Sequence, residues 1–304
     1  ATALYRSIHE KILALGDGTI LYPAHGAGSA CGTSISERND STLGLERAQN
    51  PLLSLSEEEF VAHKLAEKLP IPHYFRLMEK YNLLGPPPMT SLRRPPALSP
   101  EAAREAMEEG AFVVDVRSPA AFGGAHIPDA LNIWRDGVAS FAGWMLPPGE
   151  AKILLVADED EVLDDVVLSL VRLGYDDIVG YIDRGTEAWA SAGFELESSG
   201  LITASRLREM MEEGEVEVLD VRRRDEREEG YVPGSRWIFT GLLPDRLDEI
   251  PRDVPVAIVC NVGNRASLAT SLLIRSGFEE VYNVLGSMRS WEAHGYPKEY
   301  GDVE

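Results

Sequence analysis

A cysteine and an arginine flank a short turn in the last fifth of the sequence. Cys260 follows four apolar residues, 256–259, that predict a buried strand, and Arg265 precedes an apolar-periodic stretch that predicts a helix ending at Gly277. A turn from a strand into a helix directs several backbone N–H groups into one concavity at the positive end of the helix dipole. A thiolate is stabilised there as a nucleophile, and the arginine supplies a fixed positive charge for an anionic substrate.

Each of these residues has a simpler interpretation when it is taken alone. A cysteine after a buried strand is often a small core residue. Gly263 could serve only the turn, and Arg265 could be a surface charge at the start of a helix. The combination at this spacing favours a reactive Cys260 that attacks or carries an anionic group.

The motif Cys-x-x-Gly-x-Arg between a strand and a helix resembles the active-site loop of rhodanese (sulfurtransferase) domains. The sequences at 219–222 (Leu-Asp-Val-Arg) and 286–291 (Gly-Ser-Met-Arg-Ser-Trp) resemble the motifs that flank this loop in the family. The resemblance implies that Cys260 accepts a sulfane sulfur, becomes a persulfide and passes the sulfur to a thiol or to cyanide. Four residues separate the cysteine from the arginine, whereas cysteine-dependent phosphatases, which accommodate a tetrahedral phosphate, have one more.

On this interpretation Cys260 is the nucleophile and sulfur carrier, and Arg265 holds the anionic donor, thiosulfate or glutathione persulfide. The backbone N–H groups of the loop form the anion cradle, namely those of Asn261, Val262, Gly263, Asn264 and Arg265. Asp220 and Arg222, at the end of a neighbouring strand, are expected to support the loop as a structural pair. Trp237 and Arg289 are expected at the mouth of the pocket. The reaction passes sulfur to a thiol acceptor and requires no cofactor.

The composition argues against several other classes of function. The chain has 304 residues, 26% of them charged, and a formal net charge of −21. Such a charge disfavours binding to nucleic acid or to an anionic membrane surface. The two cysteines, Cys31 and Cys260, make no disulfide framework, and no apolar run approaches ~20 residues. A cytoplasmic protein of two or three domains is therefore predicted.

An internal repeat of roughly 100 residues occupies the C-terminal two thirds of the chain. The segment Val-Val-Asp-Val-Arg at 113–117 matches Val-Leu-Asp-Val-Arg at 218–222, and Trp189 matches Trp291. Strands alternate with helices in both parts. This pattern predicts an α/β fold of two rhodanese-like domains, 99–199 and 200–304, each with a central parallel sheet flanked by helices. We refer to these two ranges as the first copy and the second copy.

The repeat places Ala157 of the first copy where the second copy has Cys260. The two residues stand at equal distances before Gly174 and Gly277. The loop after Ala157 reads Asp-Glu-Asp-Glu, contains neither a nucleophile nor an arginine, and repels the anions that the other loop attracts. We therefore predict that the first copy is catalytically inactive and serves packing or positioning.

Prolines are frequent between residues 84 and 100, and we assign 91–98 to a semi-rigid linker that follows a separate segment, 1–90. The motifs at 5–11 and 22–28 resemble the C-terminal part of a metallo-β-lactamase-fold (αβ/βα) domain of the glyoxalase-II-like persulfide dioxygenases. This resemblance implies that His25 ligates iron or zinc. The His-x-His-x-Asp-His motif that supplies most ligands in that family is absent, and a catalytic metal needs about three protein ligands.

A partial domain of this kind exposes sheet edges and apolar faces. We expect a missing N-terminal half, another chain in a homo-oligomer, or the two rhodanese-like copies to cover it. Three functions remain open. The first is a sulfurtransferase, and the second is the rhodanese portion of a metal-dependent persulfide dioxygenase or thiol hydrolase that converts glutathione persulfide to sulfite. The third is a non-catalytic binding module. Cys260 with Arg265 argues against the third, and the absent ligand motif argues against the second for this sequence.

Overall fold

The computed structural model describes residues 1–24, 38–67, 71–86, 94–149, 151–158 and 163–301. Several residues discussed above lie outside the described residues: the predicted metal ligand His25, Cys31, residues 91–93 of the predicted linker and residues 159–162 of the acidic loop. The described chain divides into two compact units, Ala1–Ile71 and Pro72–Glu304. Both rhodanese-like copies belong to the second unit.

The first unit consists of short helices and one pair of strands. Helix α1 (Thr2–Arg6) continues into a π-helical segment (Ser7–Ile12), and strands β1 (Ile20–Leu21) and β2 (Ser41–Thr42) pair antiparallel before helices α2 (Leu43–Gln49) and α3 (Glu57–Ala66). A capping box begins α3. Its Ser56 hydroxyl accepts a hydrogen bond from the Glu59 N–H, and the Glu59 carboxylate accepts one from the Ser56 N–H.

In the second unit, helix α4 (Phe75–Leu84) precedes the first of two five-stranded parallel sheets. Its strands are β3 (Ala97–Leu98), β4 (Phe112–Asp115), β5 (Leu131–Asn132), β6 (Ile153–Val156) and β7 (Ile178–Ile182), in the order β3-β7-β6-β4-β5. The helices of this copy are α5 (Pro100–Glu108), α6 (Pro119–Gly124), α7 (Val138–Met145), α8 (Leu163–Arg172) and α9 (Gly185–Ser191).

The second copy repeats this topology. Its strands are β8 (Gly200–Ile202), β9 (Glu217–Asp220), β10 (Arg236–Trp237), β11 (Val256–Val259) and β12 (Val281–Val284), in the order β8-β12-β11-β9-β10. Its helices are α10 (Ala204–Glu213), α11 (Arg224–Glu228), α12 (Asn264–Arg275) and α13 (Ser287–Ala293). All strand pairs in both sheets are parallel. The predicted α/β architecture of two rhodanese-like domains is confirmed.

Local sequence signals explain where these elements begin and why the central strands are buried. Ser99 and Thr203 accept hydrogen bonds from the third residue after them and begin α5 and α10. Strands β6 and β11 are unbroken apolar runs, and all their residues are buried, because helices cover both faces of a parallel sheet. One apolar cluster joins α7 and α8 of the first copy to β11 and α12 of the second. The two copies therefore share a core.

Helix α4 packs on the first copy, although the sequence placed it in the segment 1–90. A Cβ atom added at Gly143 of α7 would lie 2.0 Å from the Tyr74 ring, and one at Gly174 would lie 2.6 Å from Leu77. Only glycines leave room for these side chains. Strand β3 likewise lies in the range assigned to the linker. The boundary between the two compact units, after Ile71, thus lies before the predicted linker.

Candidate active site

The turn that contains Cys260 lies at the carboxyl end of the central strand of the second sheet. Strand β11 ends at Val259 and helix α12 begins at Asn264, so residues 260–263 make the connection. Gly263 has φ +108°, a backbone conformation that favours glycine. The helix begins two residues earlier than the predicted Ala266 and includes Arg265 in its first turn.

The sulfur of Cys260 lies inside this turn and is almost fully buried, with the residue 1% exposed. The backbone N–H of Gly263 donates a hydrogen bond to Sγ at 3.1 Å. The first N–H groups of a helix have no acceptor within the helix, and in α12 these belong to Asn264, Arg265 and Ala266. The Gly263 N–H thus donates to the sulfur at the positive end of the helix dipole, which favours negative charge there.

Ser287 contacts the cysteine from the neighbouring strand–helix connection. Its Oγ accepts a hydrogen bond from the Cys260 N–H at 3.1 Å, donates one to the Val284 carbonyl at 2.9 Å, and lies 3.8 Å from Sγ. Its φ is +45°, which is strained for a residue with a side chain. A strained residue that touches a nucleophile indicates a functional constraint.

Ser287 lies in the motif at 286–291, but sequence reasoning assigned it no role. A comparison of the two copies would have distinguished this position. When the copies are aligned on Trp189 and Trp291, Ser287 corresponds to Gly185, and both residues adopt positive φ. The first copy therefore has glycine, without a hydroxyl, at the position that supports Cys260 in the second.

The remaining loop residues differ in accessibility. Asn261 and Val262 are exposed, whereas Asn264 and Arg265 are half-buried. The Asn283 amide of β12 donates a hydrogen bond to the Gly263 carbonyl at 3.2 Å, and the Arg289 N–H donates one to the Asn261 carbonyl at 3.1 Å. Asn283 and Arg289 thus hold the two ends of the loop. The sequence analysis expected Arg289 near the site, whereas sequence reasoning did not identify Asn283.

Arg265 forms an ion pair that the sequence did not predict. Its two terminal nitrogens each donate to one carboxylate oxygen of Glu226 at 2.5 Å. Desolvation opposes both charges, but the paired hydrogen bonds and the opposite charge outweigh it. They raise the pKa of Arg265 and lower the pKa of the Glu226 carboxyl. Glu226 therefore already occupies the guanidinium face that was expected to hold the donor.

Asp220 and Arg222 lie beneath the loop at the end of β9. Asp220 accepts hydrogen bonds from Nε and Nη2 of Arg222 at 3.0 and 2.7 Å, and from Arg227 at 3.1 Å. Arg222 also donates to the backbone carbonyls of Glu226 and Gly230, both at 2.9 Å. The pair therefore fixes the segment that presents Glu226 to Arg265.

Trp237 and Arg289 are near this region. The Trp237 indole N–H donates to the Arg222 carbonyl at 2.8 Å, and the Arg224 guanidinium stands 5.6 Å from the centre of its ring. Arg289 is exposed in the first turn of α13. Because its backbone N–H bonds to Asn261 of the loop, Arg289 places a cation beside the turn.

A family model described as "Rhodanese-like domain" matches residues 99–192 and 203–294. Together the two matches cover more than half of the chain. The chain belongs to the rhodanese-like domain family.

Similar proteins carry sulfurtransferase names. A "Sulfurtransferase" of Allochromatium vinosum is 34% identical over 83 residues, which are 27% of this chain and 78% of that protein. "Thiosulfate sulfurtransferase GlpE" of Pseudoalteromonas translucida is 30% identical over 92 residues, which are 30% of this chain and 88% of that protein. These similarities support a transferase function for the rhodanese-like domains at the level of the family.

One solved structure bears on the resemblance stated for the first segment. A "Metallo-beta-lactamase" from Staphylococcus aureus aligns with 59% of this chain and 49% of its own, at 29% identity and a TM-score of 0.49. At this score the assignment of the first segment to that fold stays a prediction.

The rhodanese-like site of the first copy is different. Ala157 occupies the position of Cys260, and the Arg117 guanidinium binds Asp115, the Thr186 hydroxyl and the Ala125 carbonyl. Asp158, the next residue of the loop, lies 3.8 Å from Arg117. Within the described part of this loop, Ala157 and Asp158, no side chain is a thiol that could carry sulfur.

Among the residues that the structure describes, no group of three or more His, Cys, Asp or Glu side chains could hold a metal ion. Because His25 lies outside them, the predicted iron or zinc site stays a prediction. The described helices include none that is long and apolar enough to cross a membrane.

Proposed function

We propose that the protein is a sulfurtransferase in which Cys260 accepts a sulfane sulfur and passes it to a thiol. The observation that carries this proposal is the position of its Sγ at the end of the central strand, 3.1 Å from the Gly263 N–H and beside the start of α12. Family membership and the sulfurtransferase relatives support the same chemistry.

In the first step the Cys260 thiolate attacks the sulfane sulfur of the donor. With thiosulfate, an S–S bond forms to Sγ, the bond between the sulfane and sulfonate sulfurs breaks, and sulfite leaves with the electron pair. With a low-molecular-weight persulfide, such as that of glutathione, the leaving group is the donor thiolate. Cys260 becomes a persulfide in both cases.

In the second step an acceptor thiolate attacks the outer sulfur of this persulfide. The new S–S bond forms on the acceptor, and the electron pair of the broken bond returns to Sγ as the Cys260 thiolate. Sulfur changes its carrier with no external oxidant or reductant. The enzyme is regenerated for another cycle.

The surrounding groups hold the negative charge that moves between the two sulfurs. The Gly263 N–H lies 3.1 Å from Sγ, and a preorganised donor of this kind stabilises developing charge. The Ser287 hydroxyl, 3.8 Å from Sγ, donates its hydrogen to the Val284 carbonyl and holds the cysteine by accepting from its N–H. Arg265, paired with Glu226, fixes the first turn of the helix and keeps a cation near the sulfur. Arg289 is the exposed cation that we propose attracts the anionic donor.

Steady-state transfer to cyanide and to a dithiol, with thiosulfate and with glutathione persulfide as donors, tests this proposal. The wild-type protein is expected to turn over with at least one donor, and Cys260→Ser is expected to be inactive. Arg289→Ala should raise the KM for the anionic donor with little change in kcat. Absence of turnover and of a sulfur adduct with both donors would refute a sulfurtransferase function with these donors.

A further inference from the structure

A buried asparagine of the first copy contacts the active-site helix of the second. Asn132 ends strand β5 and is fully buried. Its amide nitrogen donates to the carbonyls of Asp115 and Arg117, both at 3.1 Å. These two bonds hold the side chain within its own copy and fix which amide atom is nitrogen, because only that atom can donate.

The other atoms of Asn132 bind helix α12. Its Oδ1 accepts a hydrogen bond from the Ser267 hydroxyl at 2.6 Å, and its backbone N–H donates to the Ser271 hydroxyl at 2.9 Å. Both serines are buried. A buried polar group that loses its partner costs free energy, so the two bonds to the serines fix the docking of the helix at this point.

The contact lies at the catalytic end of the helix. Ser267 stands two residues after Arg265, and its N–H donates to the Gly263 carbonyl at 3.0 Å. Gly263 in turn donates its own N–H to the Cys260 sulfur. A short chain of bonded groups therefore runs from the first copy to the sulfur: Asn132, Ser267, Gly263 and Cys260.

The second copy has Trp237 at the position of Asn132. The Trp237 indole donates to the Arg222 carbonyl, just as the Asn132 amide donates to the Arg117 carbonyl. The bond to an arginine carbonyl of the same copy is thus common to both copies. The Oδ1 acceptor exists only at Asn132 of the first copy, and it binds the helix of the second copy.

We infer that Asn132 is a positioning residue for sulfur transfer at Cys260, acting through Ser267 on the first turn of α12. This inference rests on the proposed sulfurtransferase function. It makes the inactive copy a part of the catalytic unit, because without Asn132 the loop donors lose their fixed placement around the sulfur.

Three variants test the inference. Ser267→Ala removes the hydroxyl that Asn132 binds, and Asn132→Ala removes the amide. Arg275→Ala is the matched control, because Arg275 donates to the Asp129 carbonyl of the first copy from the last turn of the same helix, about 12 Å from Ser267 along the axis. The measurement is the single-turnover rate of persulfide formation on Cys260 at saturating donor, beside the melting temperature of each variant.

Ser267→Ala and Asn132→Ala are expected to lower this rate by about 10- to 100-fold, because small misplacements of reacting groups have effects of that size. Arg275→Ala should stay within about twofold while its melting temperature falls as much as that of Ser267→Ala. Wild-type rates in Ser267→Ala would overturn the inference. An equal loss of rate in Arg275→Ala would do the same, since the effect would then be one of interface stability alone.

Backbone hydrogen exchange at residues 260–267 separates this inference from the proposed function, because it needs no sulfur donor. Faster exchange in Ser267→Ala than in Arg275→Ala is expected. Unchanged exchange would overturn the inference even if the wild-type protein transfers sulfur. If the wild-type protein accepts no sulfur, the proposed function fails, and exchange still decides whether Asn132 positions the loop.

Discussion

In the first copy Arg117 binds Asp115 at 2.6 Å, and in the second copy Arg222 binds Asp220 at 2.7 Å. In both copies a tryptophan near the end of the repeat donates its indole N–H to a nearby carbonyl, at 2.9 Å from Trp189 and 2.8 Å from Trp291. Features that occur both in the copy with the cysteine and in the copy without it are expected to maintain the fold. The shared Asp–Arg pair is therefore structural in our account.

Besides the loop glycine and arginine, the copies differ at three positions around the sulfur. Cys260, Glu226 and Ser287 of the second copy correspond to alanine, alanine and glycine in the first, at residues 157, 121 and 185. The nucleophile, the partner of the loop arginine and the hydroxyl beside the sulfur are thus absent together. If the second copy transfers sulfur as proposed, these are the side chains that its chemistry adds to the common scaffold.

The largest effect is expected from exchanging the nucleophile between the copies. Cys260→Ala should reduce sulfur transfer to below about one-thousandth of the wild-type rate, because the covalent step has no alternative carrier. Ala157→Cys in the same chain should not restore it, since Gly185 offers no hydroxyl there. Recovery of transfer in the double variant would show that the scaffold alone suffices.

Replacing the shared aspartates should affect stability in both copies but to different extents. Asp115→Asn and Asp220→Asn each leave a buried guanidinium without its charge partner, which costs about 3–5 kcal/mol. Asp220→Asn should cost more, because Asp220 also binds Arg227 at 3.1 Å, whereas the first copy has Phe122 at that position. Urea unfolding measures both, and a greater loss in Asp115→Asn would contradict this account.

Ser287→Gly makes the second copy resemble the first at one position. We expect sulfur transfer to fall about tenfold, less than for the loss of a donor to the developing charge, because the Ser287 hydroxyl acts by holding the Cys260 N–H. Stability should change by less than about 1 kcal/mol, because the lost hydrogen bond is offset by relief of backbone strain at φ +45°. Ser287→Ala keeps the strain and should be less stable than Ser287→Gly. The opposite order of melting temperatures would argue against strain at this residue.

The smallest effect is a pH dependence that only the second copy has. Arg265 lowers the pKa of the Glu226 carboxyl in the folded state, so the ion pair stabilises the fold above the ordinary pKa of about 4.5. This contribution is lost as the pH falls below that value and the carboxylate is protonated. Glu226→Ala, which matches Ala121, should therefore lose about 1 kcal/mol less between pH 6 and pH 3 than the wild-type protein. Equal losses would mean that the pair adds no stability.

Much of the fold follows from local sequence signals. Strand β11 and the turn after it were predictable because an unbroken apolar run, a glycine and a helical pattern follow one another directly. The two parallel sheets follow from strands that alternate with helices in both repeats. The alignment of the repeats placed Ala157 opposite Cys260 without structural information.

Contacts between distant segments could not be predicted in the same way. Glu226 stands 39 residues before Arg265 in a run of charged residues, and no periodicity distinguishes it from its neighbours. Asn132 meets Ser267, which stands 135 positions later in the sequence, only because the two copies dock. Helix α4 lies between prolines, and its amphipathic pattern does not say which domain it covers. Each of these contacts depends on tertiary packing, which sequence spacing does not encode.

The most direct test of the account is the intact mass of the chain, followed by peptide mapping, after incubation with thiosulfate and with glutathione persulfide. Wild-type protein should gain one sulfur atom per chain on the peptide containing Cys260, and cyanide should remove it. Cys31→Ser should gain the same sulfur, and Cys260→Ser should gain none. Sulfur located on Cys31, or an adduct that persists in Cys260→Ser, would contradict the assignment of the second copy as the site of transfer.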